Sequence, residues 1–165
     1  MVASNARQAL DPSTEVAIAA DHGGFVLKQE LALWLHRSGY RVRDFGAYEL
    51  NRTDDYPEFI VPLARAVAAG RPGRGIALCG SGVGASIVAN KVPGVRAGLV
   101  HDVFSARQGV KDDDMNVICL GGRVSSATAA IELVRTFLGA NFSGATRHQR
   151  RLAEVRALET QDSHS

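Results

Sequence analysis

The sequence predicts an α/β domain with a Rossmann-like, three-layer architecture, in which helices cover both faces of a five-stranded parallel sheet. Three observations support this fold class. Short segments bounded by turn residues, most of them apolar, are typical of buried parallel strands. Segments with helical spacing separate them, and this alternation is typical of a parallel sheet. Polar and reactive residues follow several of the predicted strands, at the edge where such sheets bind ligands.

The first half of the chain contains two predicted strands and two helices. The first strand, 16–20, is an apolar run that ends at a polar turn. The helix at 25–38 carries leucines on one face and is ended by Gly39. A second strand is predicted at 40–45. The helix predicted at 59–69 follows a proline and is ended by a glycine.

The second half continues the alternation. The third strand, 75–79, leads through a glycine-rich turn to a short helix at 85–91. A fourth strand at 95–100 and a fifth at 116–120 are separated by a helix at 103–110. The last two helices are predicted at 126–138 and 148–158.

We predict a single domain at residues 15–159, because no linker, repeat or low-complexity tract divides the chain. Residues 1–14 are polar and aperiodic and are expected to form a flexible N-terminal tail, and residues 160–165 a fraying C-terminal tail. The five strands complete a sheet before the last helix begins. That helix is therefore expected to pack on a second subunit.

Composition excludes several classes of function. The 165 residues contain 19 Lys and Arg against 17 Asp and Glu, and a net charge of +2 is too balanced for a general nucleic-acid binder. No apolar run approaches the roughly 20 residues that span a bilayer, and residues 1–14 have no stretch typical of a signal peptide. We therefore expect a cytoplasmic protein with no nucleic-acid or membrane partner, whose cysteines, Cys79 and Cys119, are reduced.

A glycine-rich segment, Cys79-Gly80-Ser81-Gly82-Val83-Gly84, joins the third strand to its helix. Its backbone N–H groups can hold a phosphate or an oxyanion. With Ala85 it also fits the dinucleotide-binding pattern, and Asp102 lies about 20 residues further on, as a ribose-binding acid would. A tight turn without a ligand is the third interpretation.

The two cysteines have different surroundings in the sequence. Cys79 directly precedes the glycine-rich turn, where a thiolate is favoured, so it is a candidate base or nucleophile. The alternative is a small core residue, which is the usual role of a free cysteine. Cys119 lies between Ile118 and Leu120 in a predicted strand, and a core role is favoured there.

Four further polar clusters have both a functional and a structural interpretation. Asp21-His22 and His101-Asp102 each follow a strand and could contact sugar hydroxyls or a phosphate, or simply form a helix cap and a turn. Arg147-His148-Gln149-Arg150-Arg151 suits a phosphate dianion, although a solvated basic face is the usual meaning of such a run. The three carboxylates of Asp112-Asp113-Asp114 do not share a face, so we expect a loop or cap and no metal there.

Several of these segments recur in a specific order with other short motifs. The motifs are Ala20-Asp21-His22-Gly23-Gly24-Phe25 with Lys28, Thr53-Asp54-Asp55-Tyr56-Pro57, the glycine-rich segment with Ala89-Asn90-Lys91, Asn116-Val117 with Gly122-Arg123-Val124, and Arg147 to Arg151. Together they make the chain resemble the type B ribose-5-phosphate isomerases and the related galactose-6-phosphate isomerase subunits. The resemblance covers residues 16–158, and it implies a Rossmann-like fold and a sugar-phosphate substrate.

The resemblance implies a role for each matching residue. Cys79 corresponds to the base that moves a proton between C1 and C2 of the sugar; other members use a Glu at the position of Ala85. The enediolate oxyanion is bound by the Ser81 hydroxyl and by the amides of the loop residues Gly80, Gly82, Val83 and Gly84. The residues that correspond to substrate contacts are Asp21, His22, Tyr56 and Asp113, and those that correspond to phosphate contacts are Arg123, Arg147 and Arg151. His148 lies in the same basic cluster and is also predicted to contact the substrate. Arg147 and Arg151 are expected to reach across a dimer interface.

One departure from the family pattern concerns ring opening. The family has His-Asn where this chain has Asp112-Asp113, and that His opens the furanose ring. Asp112 could do so instead, or His101 could supply the imidazole, or the substrate could be a short sugar phosphate that needs little ring opening.

We therefore predict a cofactor-independent aldose–ketose isomerase of ribose 5-phosphate and ribulose 5-phosphate. It is expected to be a homodimer, or a tetramer, with sites shared between subunits. The alternatives are an isomerase of another phosphorylated sugar, a tetrose or hexose phosphate, and a noncatalytic module that binds a sugar phosphate or a dinucleotide.

Overall fold

The computed structural model describes residues 14–161, with side chains as far as Thr160. It contains a five-stranded, all-parallel sheet with the strand order β2-β1-β3-β5-β4. The strands are β1 Glu15–Ala20, β2 Arg41–Asp44, β3 Arg74–Cys79, β4 Ala97–Leu99 and β5 Val117–Gly121. The helices of the described residues are α1 Phe25–Arg37, α2 Tyr56–Ala68, α3 Val83–Ala89, α4 Val103–Asp113, α5 Ala127–Gly139 and α6 Thr146–Gln161.

Two apolar cores lie on the two faces of this sheet. Side chains of α1, α4 and α5 pack on one face, and side chains of α2 and α3 pack on the other. Strands β1, β3 and β5 are buried along their length because alternate residues contribute to each core. The predicted fold class is confirmed.

The order of the strands determines where the loops meet. The chain moves from β1 outward to β2 and then returns to the other side of β1 to form β3. In parallel sheets this reversal leaves a crevice beyond the carboxyl ends of the two central strands. The loops that follow β1 and β3 are therefore neighbours, although about 60 residues separate them in the sequence.

Several element boundaries differ from those predicted. Helix α2 begins at Tyr56 instead of residue 59, because Pro57 fits the first helical turn, where its missing N–H needs no partner. Helix α4 extends to Asp113, and Asp114 ends it with a left-handed φ of 46°. The loop or cap expected at these aspartates is thus the last turn and the cap of a helix. Strand β4 is only three residues long.

Helix α6 is longer than predicted at both ends and includes Thr160, which had been placed in the C-terminal tail. It contacts its own chain: Glu159 accepts a hydrogen bond from the Gly94 N–H at 2.9 Å. Packing of α6 on a second subunit stays a prediction, as do the tails at 1–13 and 162–165, which lie outside the described residues. Within the described part of the chain, every helix is too short or too polar to cross a membrane.

Candidate active site

The loops after β1, β3 and β5 interlock through glycines at the carboxyl edge of the sheet. A Cβ atom on Gly23 would lie 2.7 Å from the backbone nitrogen of Gly80, and one on Gly121 would lie 2.7 Å from the carbonyl carbon of Ser81. Both distances are shorter than real Cβ contacts, so only glycine permits the backbones to approach this closely. The three loops therefore form one continuous surface.

The glycine-rich loop presents Cys79 at its base. Gly82 has a φ of +82°, which glycine adopts without strain, and its N–H donates to the Cys79 sulfur at 3.1 Å. This N–H contact holds the Cys79 side chain against the loop. Cys79 is 5% exposed, whereas Ser81 next to the loop's first glycine is exposed. The thiol thus lies beneath a loop whose outer surface is open.

Cys119 lies in the interior of the sheet. It is fully buried in the core on the α2 and α3 face. Burial, with a smaller contribution from the nearby Cys79, raises the pKa of the Cys119 thiol far above its ordinary range, so it stays protonated. The core role predicted for Cys119 is confirmed.

Asp21 and His22 follow β1 and make different contacts. The Asp21 carboxylate accepts hydrogen bonds from the N–H groups of Gly23 at 2.9 Å and Gly24 at 3.3 Å, which is the turn role weighed for it. The Asp54 Oδ1 atom accepts from the His22 backbone N–H at 2.9 Å and lies 2.7 Å from His22 Nδ1. Sequence analysis gave Asp54 no role, since 32 residues separate it from His22.

The polar atoms of Asp21, His22 and Asp54 all lie within 4.8 Å of one another. Such spacing could hold a cation, but the hydrogen bonds within the loops already account for it: Asp21 bonds the turn amides and Asp54 bonds His22. The expectation that the chain binds no metal stays a prediction.

Tyr56 and Arg123 flank the glycine-rich loop. The Tyr56 ring packs on Gly84, where a Cβ atom would come within 2.8 Å of it. A Cβ atom on Gly80 would lie 3.4 Å from the Arg123 guanidinium, and the Arg123 backbone N–H donates to the Gly80 carbonyl at 3.0 Å. Arg123 is exposed. The structure therefore brings together, at one edge, Cys79, the loop amides, Ser81, Asp21, His22, Tyr56 and Arg123, which we call the carboxyl-edge group.

Five further basic and acidic candidates lie at the opposite, amino end of the sheet. Helix α4 starts at the carboxyl edge and runs back to the start of β5, a length of about 16 Å at 1.5 Å for each residue. Asp112 and Asp113 end this helix, and α6 begins beside it, since Ser143 just before α6 donates to the Lys111 carbonyl at 2.9 Å. We call Asp112, Asp113, Arg147, His148 and Arg151 the amino-edge group.

Several side chains of the amino-edge group already have hydrogen-bond partners within the chain. Asp112 accepts from Gln108 at 3.0 Å and has its other oxygen 3.6 Å from His148 Nδ1. His148 is 3% exposed; its ring contacts the Ser143 hydroxyl at 2.8 Å and accepts from the Arg147 Nε–H at 3.1 Å. These contacts favour a structural role for His148 over the predicted substrate contact, whereas Arg147 and Arg151 are exposed.

His101 and Asp102 lie between β4 and α4, at the carboxyl edge. Asp102 caps α4 by accepting from the Ser105 N–H at 2.7 Å and from its hydroxyl at 2.9 Å. The Ser105 backbone hydrogen bond holds the Asp102 pKa below its ordinary value of 3.8. His101 is exposed and follows a strand two positions from β3, about 10 Å across the sheet.

Fold and site together define a class of α/β proteins that bind a small anionic ligand at the carboxyl edge of a parallel sheet, with a thiol beneath a glycine loop. A family model described as Ribose/Galactose Isomerase matches residues 16–155. The chain belongs to this family, which confirms the resemblance seen in the motifs.

Individual relatives share the family's length and fold. Ribose-5-phosphate isomerase B of Escherichia coli K12 is 40% identical over 145 residues, which cover 88% of this chain and 96% of that protein. D-Erythrulose-4-phosphate isomerase of Pectobacterium atrosepticum is 39% identical over 129 residues, covering 78% and 85%. The structure of ribose-5-phosphate isomerase B from Mycoplasma genitalium with bound ribulose-5-phosphate is 37% identical, has a TM-score of 0.84, and covers 90% of this chain and 97% of that one.

Proposed function

We propose that the protein interconverts ribose 5-phosphate and ribulose 5-phosphate through an enediolate, with Cys79 as the base. The observation that carries this proposal is the Cys79 sulfur, held by the Gly82 N–H beneath an open loop at the topological switch point. Membership of the ribose/galactose isomerase family supports the same chemistry.

The proposed reaction moves one proton from C2 to C1 of the substrate and a second proton between its oxygens. The Cys79 thiolate removes the proton from C2 of the open-chain aldose; the C–H electron pair forms the C1–C2 double bond, and the carbonyl electron pair moves onto O1 to give the enediolate. The O2 hydroxyl proton then passes to O1, the O2 electron pair forms the C2 carbonyl, and C1 takes the proton back from the Cys79 thiol to give the ketose. A general base of this kind contributes about 10²–10⁴-fold to the rate. Atoms and electrons balance without a redox cofactor.

The loop above Cys79 stabilises the negative charge that develops on the substrate oxygens. Its backbone N–H groups are held in place by the close glycine contacts, so they need no reorganisation during the reaction. The exposed Ser81 hydroxyl adds a further donor. Preorganised donors of this type contribute several kcal/mol, about 3 for each donor that is lost.

The phosphate supplies binding energy at a distance from the reacting carbons. Arg123 lies against the loop in the same chain, and we assign Arg147 and Arg151 to the phosphate in a second copy of the chain. Guanidinium groups bind phosphate oxygens through paired N–H donors. Holding the phosphate positions C1 and C2 against the thiol.

The separation of the two groups supports a homodimer with shared sites. The amino-edge group lies at the opposite end of a protomer from Cys79, so both can contact one substrate only if a second copy supplies one of them. Exposed apolar side chains near both groups support such an interface: Val83, Ile87, Phe104, Val155 and Leu158. A cavity of about 530 Å³ also lies between β4, α4 and the end of α6.

The compartment is proposed from the cysteines. Both Cys79 and Cys119 are free thiols in the structure, and reduced thiols are typical of the cytoplasm. We therefore propose that the protein is cytoplasmic.

A tetrose phosphate is the second candidate substrate. Asp112 stands where the family's ring-opening histidine is expected, and its two oxygens face Gln108 and His148. The chain thus lacks at this position the imidazole, whose proton exchange near neutral pH suits ring opening. A four-carbon sugar 4-phosphate cannot close a furanose ring through O4, so its isomerisation needs no ring opening.

A substrate panel distinguishes these candidates. Purified protein, without added cofactor, is assayed with ribose 5-phosphate, erythrose 4-phosphate and galactose 6-phosphate, with the Cys79→Ser variant as the background. Turnover that is highest with ribose 5-phosphate supports the first candidate, and preference for the tetrose supports the second. Absence of turnover with all three, together with saturable NAD binding, would overturn both.

A further inference from the structure

The Asp54 carboxylate lies behind His22 in the carboxyl-edge group, and nothing in the proposed mechanism uses it. We propose that Asp54 is a positioning residue, which fixes the His22 ring in the tautomer with its proton on Nδ1 and directs Nε2 to the substrate. The proposal rests on the proposed function, because it takes His22 as a substrate contact.

The hydrogen bonds determine the tautomer. Asp54 Oδ1 accepts from the His22 backbone N–H at 2.9 Å and meets His22 Nδ1 at 2.7 Å. An ionised carboxylate oxygen can only accept, so Nδ1 must carry the proton. Among the described residues no partner contacts Nε2, which is therefore available to a ligand.

Burial distinguishes the two members of the pair. The His22 side chain is 27% exposed, whereas that of Asp54 is 5% exposed. The histidine thus faces the open edge and the carboxylate lies beneath it. Two bonds from one oxygen, to the ring and to the backbone of the same residue, restrict both the position of His22 and the rotation of its ring.

The second oxygen of Asp54 has no obvious structural use. Oδ2 is buried and has no hydrogen-bond partner among the described residues. A buried polar atom without a partner destabilises the folded state, so such atoms are rare and need an explanation. The contacts of Asp54 with His22 use Oδ1 alone.

The loop between β2 and α2 places Asp54 and is itself anchored to the site. Buried Lys28 donates to Asp44 at 2.8 Å and to the Ala47 carbonyl at 2.6 Å, at the start of this loop. The loop ends at Tyr56, whose ring packs on the glycine-rich loop. One anchored segment therefore sets the positions of both His22 and Tyr56.

The experiment compares Asp54→Ala and Asp54→Asn with His22→Gln and the double variant His22→Gln/Asp54→Ala. Asp54→Ala is expected to lower kcat/KM for the preferred sugar phosphate about tenfold or more, because it removes one hydrogen bond to a charged group. Asp54→Asn keeps an accepting oxygen and should recover part of this loss. In the His22→Gln background, Asp54→Ala should cost nothing further. Asp55→Asn, an exposed neighbour, is the matched control and should match wild type.

Nitrogen-15 NMR of the His22 ring in the free protein gives a readout that does not depend on turnover. The wild type and Asp54→Asn should show a proton on Nδ1, and Asp54→Ala should shift the population towards Nε2–H. An unchanged tautomer in Asp54→Ala, or an equal loss of kcat/KM in both His22 backgrounds, overturns the inference. If the wild type turns over no sugar phosphate, the proposed function fails, while the tautomer measurement still tests the pair. If Asp54→Ala does not fold, Asp54→Asn provides the test instead. The inference would also be contradicted if the His22 ring of Asp54→Asn shows the wild-type tautomer by NMR while its kcat/KM falls as far as that of His22→Gln.

Discussion

Arg74 and Arg123 lie at opposite ends of neighbouring strands and are used in opposite ways. Arg74 begins β3 and is fully buried, with its guanidinium donating to the carbonyls of Phe137, Leu138 and Ala140 at the end of α5. Arg123 follows β5 and is exposed against the glycine-rich loop. One arginine thus satisfies the last carbonyls of a helix at the amino end of the sheet, whereas the other remains available to a ligand at the carboxyl end.

Other polar residues at the two ends of the sheet differ in the same way. At the amino end, Asn116 accepts from the Arg96 N–H at 2.7 Å and donates to the Gly94 carbonyl at 2.9 Å, and Arg96 pairs with Asp114 at 2.9 Å. At the carboxyl end, Ser81 is exposed. Substitutions of these internally bonded residues at the amino end should therefore change stability, whereas substitutions in the carboxyl-edge group should change turnover.

The largest effect on turnover is expected from Cys79→Ser. A serine hydroxyl is a much weaker base than a thiolate, so kcat/KM should fall at least about 10²-fold while the unfolding midpoint changes little. Cys119→Ser is the matched control, and it should affect stability without a comparable loss of kcat/KM. A Cys79→Ser variant that keeps more than about a tenth of the rate would assign the base elsewhere.

Arg74→Met should give the largest loss of stability. It removes the donor from three buried carbonyls, each of which loses a hydrogen bond to a charged group, and about 3 kcal/mol of the free energy of unfolding should be lost. Urea denaturation measures this loss. The folded fraction should keep kcat/KM within about twofold, since Cys79 and the glycine-rich loop lie at the other end of the sheet and the Arg74 side chain is buried away from the exposed Arg147 and Arg151. Loss of turnover without loss of stability would contradict the division between the two ends.

His101→Asn tests which group opens the sugar ring. If His101 supplies the imidazole, turnover of ribose 5-phosphate should fall about tenfold more than turnover of erythrose 4-phosphate, which is open-chain. Parallel assays of both substrates make the comparison. Equal losses would mean that His101 shapes the site, and no loss with either would leave it without a role in turnover.

Asp102→Asn should have the smallest effect. Because the Ser105 N–H lowers the folded-state pKa of Asp102, the carboxylate stabilises the fold above about pH 4, and this contribution is lost as the pH falls through the lowered pKa. Urea midpoints of the variant and wild type should therefore differ slightly at neutral pH and converge in acid. A difference that does not depend on pH would show that the charge is not involved.

The sequence was sufficient for most of the fold because the strands are compact apolar segments between turns. It began the third strand at residue 75 and so left Arg74 out of it, and it started α2 too late because Pro57 was taken to precede the helix. Local patterns also located the loop beneath which Cys79 lies. They could not show that Asp54 meets His22, because that contact joins loops 32 residues apart.

The same limit applies to the two groups of site residues. A motif shows that Asp112 and Arg151 belong to a family's site, but not at which end of the protomer they lie. That depends on the direction of α4, which carries Asp112 away from the carboxyl edge. The resemblance already implied that Arg147 and Arg151 reach across a dimer interface, and the separation of the two groups within one protomer supports that prediction.

Mixing two inactive variants tests the shared site most directly. Cys79→Ser protein and Arg151→Ala protein are combined under conditions of proven subunit exchange, and turnover is measured. A hybrid dimer would hold one intact site, with Cys79 from one chain and Arg151 from the other, so a random mixture should recover about a quarter of wild-type activity. Turnover no higher than the sum of the two separate variants, despite exchange, would show that each site is built from a single chain.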